Sequence, residues 1–172
     1  MLYLLDANTL IDAKRDYFQF SRVPEFWSWI QYQGEIGSVK IPIEVYEEFE
    51  EAKRPDGSRD ELAEWASRTE VKDALLLSEE AAPELVQIVM DRGYCADPTD
   101  EEVHKIGRDP FLVAYALVDP EGRRIVTTEV SRPNRQRANR KIPDVCRNLG
   151  IEPLNNFELL GALDFTTGWQ RQ

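Results

Sequence analysis

Four acidic positions stand out because each falls just after an apolar stretch or at the opening of a helical pattern: Asp6, a glutamate at 44 or 48, Asp109 and Glu129. Carboxylates brought together without partners repel one another, which raises their pKa values and destabilises the fold unless a cation sits among them. A hard divalent cation resolves that conflict. Oxygen-only donors point to Mg2+ or Mn2+ rather than zinc, because the single histidine, His104, and the two cysteines, Cys95 and Cys146, form no ligand-spaced cluster. Such an ion can polarise a phosphoryl oxygen, lower the pKa of a bound water to make the nucleophile, and stabilise the leaving oxygen. The expected chemistry is therefore hydrolysis of nucleic-acid phosphodiesters, and the chain offers no Ser-His-Asp or Cys-His arrangement to supply a side-chain nucleophile instead. Each acid also has an ordinary role open to it. Asp6 can make an Asx turn or cap the next helix, Asp109 before Pro110 can be a plain N-cap, and Glu44 and Glu48 can be solvated positions on an acid-rich helix.

For these acids to meet, strands must deliver them to the carboxyl edge of one sheet, where loops and helix starts converge in a crevice. The opening run Met1-Leu2-Tyr3-Leu4-Leu5 reads as a buried strand ending at Asp6, followed by a short helix over residues 9–17. Pro24 starts a helix whose Phe26, Trp27, Trp29 and Ile30 form one wide buried face, and Gly34 closes it. Residues 36–41 make a short second strand. Pro42 then opens a helix to roughly residue 53, with Val45 and Phe49 as its buried stripe and Glu44 and Glu48 sharing a flanking face. Turn residues place a loop at 54–58, and helical segments follow over 60–67, 72–77 and 83–91. Residues 93–105 read as a loop with a helical turn. Asp109-Pro110 begins a helix in which Ala114 and Ala116 permit close approach to a sheet, residues 123–129 form a strand ending in Thr-Thr-Glu, and residues 142–149 are helical. An edge strand over 151–154, tolerant of its internal Pro, and a helix over 157–163 complete the chain. This alternation predicts an α/β fold: a mostly parallel sheet of four or five strands with helices on both faces, in a single domain over residues 1–172.

Composition sets further bounds. A chain of 172 residues that is 42% hydrophobic is long enough for one domain with a sizeable core. A formal charge of −11 and a pI near 4.6 argue against a general nucleic-acid coat protein. The charge is unevenly spread, however. Between Glu121 and Arg147 stand eight basic residues against three acidic ones, including Arg132, Arg135, Arg137, Arg140 and Lys141 directly after the fourth acid. Such a strip is well placed to hold an RNA backbone, and could equally be a solvated loop or a dock for an acidic partner segment. Two cysteines without C-x-x-C spacing suggest reduced thiols in a cytoplasm. No signal peptide is read at the N-terminus, and no apolar run approaches the roughly 20 residues of a membrane span.

Four stretches together resemble the PIN domain of VapC-like ribonuclease toxins: Leu4-Leu5-Asp6-Ala7-Asn8; Pro42-Ile43-Glu44-Val45-Tyr46-Glu47-Glu48-Phe49; Asp109 with Ala114 and Ala116; and Val126-Thr127-Thr128-Glu129. The order is kept over nearly the whole chain, although Glu129 stands where that family more often has Asp or Asn. The resemblance implies a parallel sheet of four or five strands and a Mg2+- or Mn2+-dependent endoribonuclease. It makes Asp6, Glu48, Asp109 and Glu129 the metal-binding and catalytic residues, Glu48 being favoured over Glu44 for its apolar lead. It also implies an RNA substrate, a cognate antitoxin with a DNA-binding domain, and dimerisation. The middle helices suggest a longer, divergent branch. Two rival readings are a PIN-like binding protein that has lost cleavage and a haloacid-dehalogenase-like phosphatase. The latter rests on Asp6-Ala7-Asn8-Thr9, where Asn8 occupies the position of the acid/base and cannot act as one.

Overall fold

In the computed structural model, which describes residues 1–50 and 57–171, strands β1 (Leu2–Leu5), β2 (Val39–Lys40), β3 (Arg123–Val126) and β4 (Pro153–Leu154) form one sheet. Their order is β2-β1-β3-β4 and every pairing is parallel. Leu2 to Leu5 pair in register with Arg123 to Val126. Successive strand residues face opposite sides of a sheet, and Tyr3, Leu4 and Leu5 are 8%, 0% and 0% exposed. Both faces of β1 are therefore covered, which is why its sequence is a continuous apolar run rather than an alternating one. Pro153 lies on the edge strand β4, where a missing N–H is tolerated. An isolated parallel bridge, Ile41 to Leu76, extends the β2 edge.

The strand order reverses at β1. From β1 the chain moves to β2 on one side, and β3 later inserts on the other. The crevice between the carboxyl ends of β1 and β3 is thus the topological switch point, the usual ligand position in open α/β sheets.

Helices α1 (Ala7–Asp12), α2 (Pro24–Glu35), α3 (Ile43–Glu50), α4 (Glu61–Ala66), α5 (Thr69–Leu75), α6 (Pro83–Ile88), α7 (Asp100–Ile106), α8 (Asp109–Leu117), α9 (Ile142–Asn148) and α10 (Asn156–Ala162) connect the strands. The helix expected over 9–17 begins earlier and changes to a π turn at Ala13–Tyr17. The one expected over 83–91 likewise changes to a π turn at Val89–Tyr94. Residues 51–56, which hold the expected end of the 42–53 helix and the start of the 54–58 loop, lie outside the described residues. Where a loop and a helical turn were expected over 93–105, α7 forms behind a capping box. The Thr99 hydroxyl accepts from Glu102 N–H, and the Glu102 carboxylate accepts from Thr99 N–H. The Thr-x-x-Glu spacing was the available signal.

The aromatic face of α2 is core, as expected. Phe26, Trp27, Trp29 and Ile30 are all buried, Phe20 stacks on Trp27, and Trp27 Nε1 donates to the Phe18 carbonyl at 2.7 Å. Gly34, however, does not close the helix. It lies inside α2, where an added Cβ would stand 2.7 Å from the Ala74 carbonyl oxygen, and Gly37 supplies the left-handed turn at φ +76°. Gly34 is therefore required by the close approach of α2 to α5. Gly34→Ala is expected to destabilise the chain by about 1–3 kcal/mol through overpacking, read as a lower urea midpoint at unchanged slope.

Candidate metal centre

Asp6 is the first residue after β1. It occupies the N-cap position of α1, yet its side chain makes no capping bond. Its Oδ2 instead accepts the Thr127 hydroxyl at 2.8 Å and the Asn8 amide at 3.4 Å. Thr127 follows β3, so this bond runs directly across the switch point. The Thr127 hydroxyl also accepts the Glu129 N–H at 3.1 Å, which ties Asp6 to the loop carrying the fourth acid.

Asp109 opens α8 as its first helical residue, and Arg108 rather than Asp109 occupies the N-cap. The buried hydroxyl of Tyr94 donates to Asp109 Oδ2 at 3.3 Å. Tyr94 is the last residue of the π turn that follows α6, and this turn brings the hydroxyl to the site.

Glu48 and Glu44 part company on α3. Glu48 is exposed, and its carboxyl is pushed up by the protein around it and by the charge of Asp6, against the pull of Arg108. Glu44 turns to Tyr115, whose hydroxyl lies 3.5 Å from Oε1, and its Oε2 is buried without a hydrogen-bond partner. Of the two glutamates, only Glu48 figures among the charges acting on Asp109. Glu48 is thus the α3 acid whose charge reaches Asp109.

The charges of these acids converge on Asp6 and Asp109. Burial raises Asp6, helped by Glu129 and opposed by Thr127 and Asn8. Burial, with the charges of Asp6, Glu129 and Glu48, pushes Asp109 up to about 7. The ordinary capping roles open to Asp6 and Asp109 are both unused. Among the described residues, however, no three acidic, histidine or cysteine side chains already converge as a metal-binding group. Each carboxylate that would have to turn has a present partner: Asp6 rests on Thr127, Asp109 on Tyr94, and Glu129 on Lys141 and the Ile142 N–H. The chemistry of the donors fits a hard cation, being oxygen only, mutually repulsive and held at a sheet edge. Cys146 is also near. Its thiol is fully buried and pushed up by that burial, which keeps it neutral and unreactive.

Beside the acids lies a cavity of about 280 Å³ whose wall includes Asp109, Glu129, Lys105, Arg132, Arg135 and Lys141. The basic strip divides in two. Arg137 is held by Asp97 and Glu102 through ion pairs of 2.9 and 2.6 Å. Arg140 donates to the carbonyls of Gly93 (2.5 Å) and Asp144 (3.2 Å). The guanidinium groups of Arg132 and Arg135 make no hydrogen bond or ion pair among the described residues. Lys105, absent from the expected set, joins the cavity wall, with its Nζ on the Asn139 side-chain oxygen at 2.6 Å. Thr127 and Asn8 lay within the stretches already singled out. Tyr94 and Lys105 carried no local signal, since only the path of the π turn and of α7 brings them here.

Fold and crevice together define the class: a single-sheet, all-parallel α/β protein with an acidic switch point flanked by a basic cavity. The chain belongs to the family described as Domain of unknown function (DUF4411), whose model matches residues 3–167 and so includes all four acids. No curated protein and no solved structure matches it. No described helix is long and apolar enough to cross a membrane.

Proposed function

We propose that this chain is a PIN-type, Mg2+- or Mn2+-dependent endoribonuclease, acting as the toxin of a toxin–antitoxin pair. The observation that carries the reading is that Asp6 follows β1 and is bonded across the switch point to Thr127, which also holds the Glu129 N–H, while Asp109 opens α8 near enough to feel the charges of Asp6, Glu129 and Glu48. Asp6, Glu48 and Asp109 would hold the ion, with Glu129 beside them. When bound, the ion supplies a more acidic water and charge neutralisation at the phosphoryl group. Thr127 and Asn8 orient Asp6, Tyr94 orients Asp109, and the cations of the adjacent cavity take substrate phosphates. RNA is the substrate, a cognate antitoxin with a DNA-binding domain is the partner, and the chain pairs as a homodimer in the cytoplasm. The phosphatase reading has less support, because the Asn8 amide points at Asp6 as a donor. A binding protein without cleavage is favoured by two observations, the engagement of both Glu129 oxygens and the absence, among the described residues, of three acidic, histidine or cysteine side chains already converging as a metal-binding group.

The test is cleavage of labelled RNA by purified chain with Mn2+, with Mg2+ and with chelator. Metal-dependent internal cuts support the reading, whereas RNA binding without cleavage in any metal would favour the silent binding protein. Expression of the chain should also arrest growth, and co-expression of the adjacent reading frame should relieve the arrest.

Substrate contacts should follow the division of the basic strip. Arg132→Ala and Arg135→Ala are each expected to weaken RNA binding and lower the salt slope by roughly 0.7, the value for one single-strand phosphate contact. Arg137→Ala should leave the slope unchanged and lower only thermal stability, since its partners are Asp97 and Glu102. Fluorescence anisotropy across a salt series checks all three.

A further inference from the structure

Resting on the nuclease reading above, we infer that Glu129 is a positioning residue rather than a metal ligand: it fixes the Lys141 ammonium at the cavity wall, where that group meets a substrate phosphate.

Both carboxylate oxygens of Glu129 are already committed. Oε1 pairs with Lys141 Nζ, and Oε2 accepts the Ile142 N–H at 2.8 Å. Its own N–H is held by Thr127. Glu129 therefore closes the neck of the loop that leaves β3 and returns at α9. A second carboxylate completes the closure, since Asp144 accepts the Ser131 hydroxyl at 2.5 Å and the Arg132 N–H at 2.7 Å. The loop between these clasps carries Arg132 and Arg135 to the cavity. To ligate a cation, Glu129 would have to release the Ile142 N–H and Lys141 together and open the neck. Lys141 has different prospects. An ammonium has three donors, Glu129 accounts for one, and the side chain is 37% exposed on a wall shared with Asp109. Among the described residues, two N–H donors thus remain for an anion beside the acidic crevice. Swinging freely, a lysine would lose rotamer freedom on each encounter; tethered to Glu129 it is ordered in advance.

Charge alone makes the opposite forecast for RNA binding. Removing a negative charge from this wall should tighten RNA, whereas loss of a positioning contact should loosen it. The experiment measures Mn2+ affinity by electron paramagnetic resonance, and binding of a fluorescein-labelled single-stranded RNA in chelator across a salt series. The proteins are wild type, Glu129→Gln, Lys141→Met, Lys141→Arg and Asp109→Asn. Expected is Mn2+ affinity within about twofold of wild type for Glu129→Gln and Lys141→Met, against a loss of more than about tenfold for Asp109→Asn. Both Glu129→Gln and Lys141→Met should weaken RNA and lower the salt slope by roughly 0.7, and Lys141→Arg should restore most of it. Glu129→Gln that loses Mn2+ as Asp109→Asn does, or that binds RNA more tightly, overturns the inference. Should Glu129→Gln fail to fold, Lys141→Met decides: an unchanged salt slope overturns the inference and a reduced one supports it. A wild-type chain that binds no Mn2+ overturns the nuclease reading and this inference with it, while wild-type binding and cleavage that Glu129→Gln loses along with Mn2+ overturns this inference alone.

Discussion

Asp6→Asn is expected to lose metal-dependent RNA cleavage by at least about 100-fold, because changes merely behind a metal ligand already cost 10- to 100-fold in affinity or activity. The same substitution should make the metal-free protein more stable. Asp6 is buried, its carboxyl is raised by that burial and by Glu129, and an amide of the same shape relieves both penalties. Asn can also keep an oxygen towards the Thr127 hydroxyl, so the bond across the switch point survives. A higher melting temperature together with lost activity is the signature of a residue kept for chemistry at a cost in stability. Cleavage assays and thermal melts in chelator check the two halves. An Asp6→Asn protein that cuts RNA as wild type does removes Asp6 from the mechanism.

The second large effect concerns pH. With Asp109 at about 7 in the folded chain and about 3.9 when unfolded, the folded chain keeps a proton that the unfolded chain has released between those values. Stability of the metal-free protein therefore falls as pH rises from about 4 to about 7, by roughly 1.4 kcal/mol per pH unit for this group. Asp6 and Glu48 are raised too and act in the same direction. Groups held low, Glu102 by Arg137 and Asp16 by Arg15, lose their contribution only at lower pH and do not oppose the trend. Moving from pH 5.5 to pH 8 should lower the melting temperature by about 4–8 °C, on a loss of roughly 2 kcal/mol. Asp109→Asn should flatten that slope, and Mn2+ should raise the wild-type melting temperature most at pH 8, where the carboxyl is ionised. A wild-type melting temperature that is flat or rises over this range contradicts the account of Asp109.

Much of the architecture was legible because burial writes directly into sequence. β1 shows as an apolar run since both of its faces are covered, and Pro153 marks an edge strand since only there is a missing N–H harmless. Asp109-Pro110 reads as a helix start for similar reasons. The parts less legible are set by neighbours distant in the chain. Gly34 resembles a helix stop, yet its small size is needed against Ala74, forty residues later. The π turn at Val89–Tyr94 has no local signature, so the approach of Tyr94 to Asp109 could not be foreseen. The basic strip reads as uniform, whereas the acidic residues of α7 and its preceding loop claim Arg137 and backbone carbonyls claim Arg140. Glu48 and Glu44, one helical turn apart, are distinguished by what acts on them: the charge of Asp6 for one, the Tyr115 hydroxyl for the other.

The most direct test is a crystal of the chain soaked in Mn2+ and measured for anomalous scattering. The account predicts a peak bonded at about 2.1 Å to carboxylate oxygens of Asp6 and Asp109, with Glu48 alongside and Glu129 still on Lys141. No peak between Asp6 and Asp109 at saturating Mn2+, or an ion bound only elsewhere on the surface, would contradict it.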